Sequence, residues 1–294
     1  MPGLDRKLVE HWLPIKPQYK PFKQAPRRIK PEVMADVKTK ITWLYEAMFI
    51  WQCRYAEWIS SVVLVYKKNG KVRVCIDFRD LNKATSMDSY PMPVVDMLVD
   101  AVAGHKVISF MDGNVGYNQI FMAEEGIHKT VFRCPRALGL YEWVVMTFGL
   151  QNAGATYQRA MNYIFHELIG KIVEIYIDDV VVNSKGYQEH LEDLKKTLMC
   201  AKKHGLKMNP HKCAFGVSVG QFLSFMVHAK GIEVGQKSFD AISKMVPPTS
   251  KTELQSLIDK FNFVRRFISN LSAKILPFST YPFLLIIHFI LKVD

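Results

Sequence analysis

No stretch of this 294-residue sequence is apolar enough to cross a membrane. The longest apolar run, Tyr281 to Val293, is broken by His288 and Lys292 and falls short of the roughly 18 residues a spanning helix needs. Cysteine is sparse and lacks a paired pattern: Cys53, Cys75, Cys134, Cys200 and Cys213 form an odd set without a C-x-x-C pair. That argues against a disulfide framework or zinc knuckle and fits a reducing, intracellular setting. The first 20 residues lack an apolar core, so they do not read as a signal peptide. No internal repeat or low-complexity tract is visible. A composition of 49% hydrophobic and 22% charged residues is that of an ordinary globular chain rather than a disordered one. Acidic residues are the last scarcity: 27 Asp and Glu face 39 Lys and Arg, a formal net charge of +12.

That imbalance concerns partners rather than fold. The first 40 residues carry ten Lys and Arg against four acids, punctuated by Pro2, Pro14, Pro17, Pro21, Pro26 and Pro31. Such a stretch favours an extended basic arm over a helix. Clustered cations reward phosphate contacts, so nucleic acid is the leading partner, with a solubilising surface as the alternative. Residues 33–48 have a helical pattern. Ser61 to Tyr66 reads as a strand and Asn69-Gly70 as a hairpin turn. Val72, Val74 and Ile76 then alternate with Arg73, Cys75 and Asp77, a second strand with a polar face. Pro93 opens and Gly104 closes a helix. Lys106 to Met111 is a buried strand that delivers Asp112. Residues 153–168 are helical, and Ile172 to Ile177 and Val180 to Val182 are strands. Leu191, Leu194, Leu198 and Ala201 mark the inward stripe of a helix ended by Gly205. A β-rich segment at 213–235 precedes a last helix that opens on a Ser250/Glu253 capping box. Strands and helices alternate without a regular βαβ rhythm, which predicts an α+β fold with a sheet covered by helices on one face.

The sharpest feature is Tyr176-Ile-Asp-Asp179. It sets two acids between apolar strand segments, where paired carboxylates are costly to desolvate. A tight turn there lets one carboxylate face a cleft while its neighbour supports from the side. If the strand ending at Asp112 is adjacent, Asp112 and Asp178 converge. Three carboxylates around one spot repel unless divalent cations sit among them. Oxygen-only ligands suit Mg²⁺, and a pair of such ions suits in-line phosphoryl displacement. The competing reading is an ordinary Asp-containing hairpin turn.

Tyr176-Ile-Asp-Asp179 resembles the catalytic Tyr/Phe-x-Asp-Asp box of reverse transcriptases. The surrounding text is similar to that family in the family's order. It comprises Val72-Arg-Val-Cys-Ile-Asp-Phe-Arg-Asp-Leu-Asn-Lys83, Ser109-Phe-Met-Asp-Gly-Asn-Val-Gly-Tyr-Asn-Gln-Ile120, Met146-Thr-Phe-Gly-Leu-Gln-Asn-Ala-Gly-Ala-Thr-Tyr-Gln158, Gly205-Leu-Lys-Met-Asn-Pro-His-Lys-Cys213 and Phe222-Leu-Ser224. The resemblance is to gypsy-type LTR retrotransposon Pol polyproteins, most like those of plants, and covers roughly residues 10–278. It implies RNA-directed DNA polymerase activity on a right-hand fold with an antiparallel palm sheet. A basic arm and the start of the fingers would occupy 1–47, the reverse transcriptase domain 48–227, and the start of a thumb or connection 228–278. An unmatched apolar tail would fill 279–294.

The resemblance also implies roles. Asp112, Asp178 and Asp179 would hold two Mg²⁺ ions, with Mn²⁺ as a substitute. The primer 3′-oxygen would attack the α-phosphate of a dNTP, a reaction carried by positioning and charge stabilisation. Tyr117 would sit under the sugar and exclude a 2′-hydroxyl. Arg73, with Lys67 or Lys68, would grip the triphosphate, and Gly149 would let the backbone approach the templating base or nucleotide. Gln158 would contact the template strand or cap a helix. Tyr176 would lie near the primer end, with Phe222 and Leu223 in the primer-gripping hairpin. Lys212 is a candidate proton donor to the departing pyrophosphate. The implied partners are an RNA or DNA template with its primer and dNTPs, and no membrane.

Four positions depart from the family. Ser224 stands where glycine is usual, and Leu257-Ile-Asp-Lys260 lacks a Leu-Gly pair. Phe49-Ile-Trp-Gln-Cys53 lacks Arg-Pro-Ser, and Gly154 replaces a proline. The protease, ribonuclease H and integrase of such polyproteins are missing: no Asp-Thr/Ser-Gly and no His/Cys zinc cluster occurs. The alternative is a truncated, catalytically inactive remnant that only binds nucleic acid. An RNA-templated RNA polymerase is disfavoured by Tyr117.

Overall fold

Period-two alternation and turn chemistry place most of the strands, and the computed structural model describes them within residues 3–66, 72–113, 116–135 and 138–280. In chain order the strands are β1 (Glu10–His11), β2 (Ile50–Cys53), β3 (Ser60–Tyr66), β4 (Val72–Ile76), β5 (Val107–Asp112), β6 (Phe121–Met122), β7 (Phe132–Arg133), β8 (Leu140–Trp143), β9 (Val173–Tyr176), β10 (Asp179–Ser184), β11 (Ala214–Val217), β12 (Val219–Phe222), β13 (Phe225–His228) and β14 (Gly231–Val234). The helices are α1 (Met34–Glu46), α2 (Arg79–Ala84), α3 (Val95–Val102), α4 (Glu124–Ile127), α5 (Ala153–Ile164), α6 (Tyr187–Lys203), α7 (Gln236–Ser243), α8 (Lys251–Phe263) and α9 (Leu271–Thr280). The Asn69-Gly70 turn, Lys67, Lys68 and the tail from 281 lie outside the described residues.

Three sheets organise the chain. One runs β2-β8-β7-β3-β4, a central one β11-β5-β10-β9, and a small one β12-β13-β14. The central sheet is antiparallel throughout. Its two faces follow from alternation along β10. Val180 and Val182 pack with Met111, Val173 and Ile175 against Tyr157, Ala160, Met161 and Ile164 of α5. Val181 packs with Ile108 against Leu98, Val99 and Val102 of α3 and Phe222, Phe225 and Val227 of the small sheet. Helices on one face only were expected. The sheet is instead buried on both, because β5 and β10 are apolar at both alternating sets of positions, as doubly covered strands are. The small sheet continues to Val234, so a boundary at 227/228 would cut it inside β13 and its hairpin.

Two further expectations shift. The basic arm is extended, as its prolines require, but its first half is laid into the body. Leu4, His11 and Leu13 are buried, β1 pairs with β6, and Lys16 N–H donates to Ala84 O at 2.8 Å. Helix α6 does end before Gly205, whose φ is +73°. Ala201 is buried and Leu194 packs on the core as expected, but the rest of its buried face is His190, Asp193 and Thr197, and Leu191 and Leu198 are exposed. A hydrogen-bonded chain rather than an apolar stripe decides the rotation. Ser109 Oγ meets His190 Nε2 at 2.7 Å and Ser184 Oγ meets His190 Nδ1 at 3.0 Å. Ser184 also donates to Asp193 Oδ2 at 2.8 Å. Paired polar groups of this kind are tolerated in a core where unpaired ones are not. At Ser250 the expected cap is present: its hydroxyl accepts from Glu253 N–H at 3.2 Å. The Glu253 carboxylate reaches back to Thr249 N–H at 2.7 Å, one residue earlier than the usual reciprocal bond.

His11 sets a pH limit on this packing. Burial lowers its pKa to about 4, against a smaller opposing pull from Asp88. Its Nδ1 lies 2.9 Å from Thr156 Oγ1. The folded state therefore holds His11 neutral down to that value, while the unfolded chain protonates near the ordinary imidazole value. The stabilisation is full at neutral pH and is lost as pH falls through that window, an effect of at most about 3 kcal/mol. The raised carboxyls of Asp178 and Asp179 act in the opposite sense over the same range, so the measure is the difference between two chains: in urea unfolding from pH 7 to 4, the stability of the protein relative to His11→Gln should decline.

Candidate active site

Strand β5 ends on Asp112, and β10 begins on Asp179. The register makes these two residues direct cross-strand partners, with Asp179 also opposite Tyr176. Between Tyr176 and Asp179 the chain turns through Ile177 and Asp178. Ile177 has φ +52° and Asp178 has no positive φ. A left-handed residue at only the first central position is the pattern of a type II′ hairpin turn. A β-branched residue there is strained by about 1–3 kcal/mol. The strain is held by Gln158 on α5, whose Oε1 accepts from Ile177 N–H at 2.7 Å. Its Nε2 donates to Asn162 Oδ1 at 2.9 Å and to Ile175 O at 3.3 Å.

Gln158 was expected at the template or as a cap. It is fully buried with both ends of its amide engaged, so it braces the aspartate turn from behind and touches no template. Phe222 is likewise buried, in the core between α3 and the small sheet, so it supports its hairpin rather than meeting a primer. Leu223 and Ser224 form the turn of that hairpin with φ of +48° and +76°. Ser224 thus occupies a left-handed position that favours glycine. Gly154 lies in the first turn of α5, where proline is equally compatible.

Asp178 is the most constrained of the three acids. Its Oδ1 is buried beside the Tyr157 hydroxyl, and neither atom has any other hydrogen-bond partner among the described residues. A Cβ at Gly116 would stand 2.1 Å from that Oδ1, and one at Gly113 would stand 2.7 Å from Tyr157 Oη. The two glycines of the Asp-Gly-Asn-Val-Gly segment are therefore what lets the backbone close over this carboxylate. Burial first, then Asp112 and Asp179, raises the Asp178 pKa to about 6, against the Tyr157 hydroxyl and Lys212. Asp179, at the exposed start of β10, is raised in the same direction by partial desolvation of its carboxylate and by Asp112. The counter-charge present is Lys212, whose Nζ donates to both Asp112 oxygens at 3.0 Å.

Tyr117 follows in a 3₁₀ turn, Gly116–Gln119. Its ring meets Phe148 edge-on at 4.5 Å and Tyr157 at 5.5 Å. Burial, then the Asp178 and Tyr176 charges, pushes its pKa up to about 12, so it stays a neutral phenol beside the acids. Gly149 has φ +90°, and its carbonyl accepts from Asn82 Nδ2 at 2.7 Å. Asn82 Oδ1 in turn accepts from Gln151 N–H at 2.8 Å. Arg73 lies on the exposed side of β4 opposite Val65. Asn82 and Tyr157 were not singled out in the sequence, since a helix-borne Asn and a core Tyr carry no local signal of the backbone they serve.

The donor set fits a divalent cation. Among the described residues no group of three or more His, Cys, Asp and Glu is assembled to hold a metal unaided. Mg²⁺ does not require one, since it binds through one or two carboxylates together with substrate phosphates. Facing carboxylates, one with an oxygen buried beside a phenol hydroxyl alone, are what such an ion would relieve.

A family model described as reverse transcriptase (RNA-dependent DNA polymerase) matches residues 65–238. The retrovirus-related Pol polyprotein from transposon opus of Drosophila melanogaster is 36% identical over 216 residues, covering 72% of this chain and 21% of its own. The transposon Tf2-3 polyprotein of Schizosaccharomyces pombe is 31% identical over 211 residues, 72% of this chain and 16% of its own. The chain thus spans about a fifth of the length of these relatives. The foamy viral protease-reverse transcriptase bound to double-stranded DNA superposes with a TM-score of 0.80 at 20% identity, over 94% of this chain and 51% of that one. The same enzyme with an RNA/DNA hybrid gives 0.76 at 21%, over 88% and 34%. The fold is accordingly the α+β polymerase fold. By the matched model and by its relatives among transposon polyproteins, the chain belongs to the reverse transcriptase family.

Proposed function

We propose that this chain is the RNA-directed DNA polymerase domain of a gypsy-type LTR retrotransposon Pol polyprotein, extending a primer on an RNA or DNA template with dNTPs. The observation that carries the reading is the pairing of Asp112 with Asp179 across the central sheet, with Asp178 in the adjoining turn. An Asp-containing turn of ordinary kind would not bury a carboxylate oxygen with a lone phenol hydroxyl for company beside two further acids. This favours catalysis over an inert nucleic-acid-binding remnant.

In this reading Asp112, Asp178 and Asp179 hold two Mg²⁺ ions, for which Mn²⁺ would substitute. Bound there, the metal supplies charge neutralisation at the transferring phosphate. The protein's own part is positional. Gln158 fixes the turn, and Tyr117 stands as a neutral wall beside Asp178, where it would exclude a ribose 2′-hydroxyl. Gly149 keeps the backbone of its loop open to close approach. Arg73 on β4 would bind the triphosphate together with Lys67 and Lys68. Lys212 would follow the leaving pyrophosphate from its place beside Asp112. Tyr176 and the Leu223 turn flank the primer end. We place the fingers before Pro93 and over 113–150, the palm between and up to Val234, and the start of the thumb after it.

The test is primer extension with Mg²⁺ on an RNA template. The chain should add dNTPs, and Asp178→Asn should abolish addition while leaving primer–template binding intact. Folded protein that binds primer–template and adds nothing would overturn the reading. Replacing Tyr117 by Val should raise ribonucleotide use relative to deoxynucleotide use by about 10- to 100-fold, measured in competition. Gln158→Leu removes the acceptor of a buried N–H. It should cost about 1–3 kcal/mol in urea unfolding and lower the extension rate, with primer–template affinity unchanged.

A further inference from the structure

The segment from Lys207 to Lys212 carries the lysine that meets Asp112, and it is laced to the strand end and the turn that follow it in space. Gly113 bridges Met208, and Asn209 N–H donates to Asp112 O at 2.9 Å. At the far end of the lacing stands Gln119, 4% exposed. Its side-chain amide pairs with both backbone groups of one residue. Nε2 donates to Lys207 O at 2.9 Å, and Oε1 accepts from Lys207 N–H at 2.9 Å. The Gln119 main chain is fixed as well. Its carbonyl accepts from Leu4 N–H at 2.7 Å. A Cβ at Gly3 would fall 2.0 Å from that same oxygen, so the arm approaches this closely only as glycine. Neighbouring Asn118 ties the turn to Met146 O at 3.0 Å.

A paired amide of this geometry mimics a strand partner and fixes a backbone in two directions. Gln119 also closes the 3₁₀ turn that holds Tyr117. One side chain therefore joins the turn beside Asp178 to the segment that places Lys212 beside Asp112. We infer that Gln119 is a positioning residue for nucleotide addition. It clamps the 207–212 segment so that Lys212 is presented to the aspartates, and the N-terminal arm seats the clamp through Leu4. This rests on the polymerase reading of the site.

Two readouts test it. Gln119→Ala should speed hydrogen exchange of the Lys207 and Met208 amides by at least about tenfold, with exchange in α5 unchanged. It should also lower the maximal rate of single-nucleotide addition by about 10- to 100-fold, with half-saturating dNTP moving less than about threefold. In a Lys212→Ala background the added loss from Gln119→Ala should shrink to under about threefold, because the two act in series. Gln119→Glu, which keeps the acceptor and loses the donor, should fall between, and it serves if the alanine variant does not fold. Unaltered exchange at Lys207 would overturn the clamp. An equal rate penalty with and without Lys212 would overturn its positioning role, leaving only a packing residue. If the unsubstituted chain adds no nucleotide, the polymerase reading is what fails, and the exchange comparison decides the clamp by itself.

Discussion

Like-charge repulsion between carboxylates at one end of the central sheet is the constraint around which the site is built. Asp112 and Asp179 are cross-strand partners, an arrangement that destabilises a sheet when both are charged. Asp178 adds a third charge in a half-buried place. A surface hairpin would relieve this by letting the acids splay into water. Here they are held, because both faces of β5 and β10 are committed to packing. The register of one strand against the other cannot slip without turning an apolar set outward. The cost of gathering the acids is thus met by the whole core of the sheet rather than by any local bond.

The same logic explains why the turns around the site are strained and yet well braced. Ile177 adopts a left-handed conformation with a branched side chain, and Gln158 satisfies its N–H from a buried position. The hairpin at Leu223 and Ser224 has two left-handed residues without a glycine. Its support comes from Phe225, stacked on Phe263 at 5.0 Å, and from the ion pairs of Arg265 and Arg266 with Asp96 and Asp100. In the first case a hydrogen bond fixes the turn. In the second, a ring at the end of α8 stacks on the strand that leads out of it, and charges tie the segment after α8 to α3.

The aspartate strands were legible in the sequence because their signals are local. A short apolar run ending in Asp, and two runs separated by a pair of acids, fit only a few structures. The rotation of α6 was not legible. Leu191 and Leu198, both exposed, keep a helical spacing as regular as the buried set. Only the mutual hydrogen bonding of His190, Ser184, Asp193 and Ser109 decides which face turns inward. Those four residues come from three elements, so no window of sequence contains the information. Gln158 and Phe222 turn into the core for a related reason. Motif membership locates a residue near the chemistry but does not say whether its side chain points toward the reactants or behind them. The prolines of the arm correctly excluded a helix, yet nothing in them specified the groove in which Leu4, His11 and Leu13 are buried.

The polar residues around the site also link the aspartate turn to the glycine loop. The loop holding Gly149 is tied to α2 by Asn82. The segment after α2 is tied to α5 by Asn152, which bonds Ser86 O and Asp88 N–H, and by Arg159, paired with Asp88 and set over the Tyr90 ring. Helix α5 therefore braces the aspartate turn through Gln158 and anchors the connection from the β3–β4 side through Asn152 and Arg159. A displacement of α5 would move both together. Coupling of this kind keeps the acids and the glycine loop in register. It follows from side chains bonding to backbone, which fixes geometry at smaller desolvation cost than further charges in an already over-charged site.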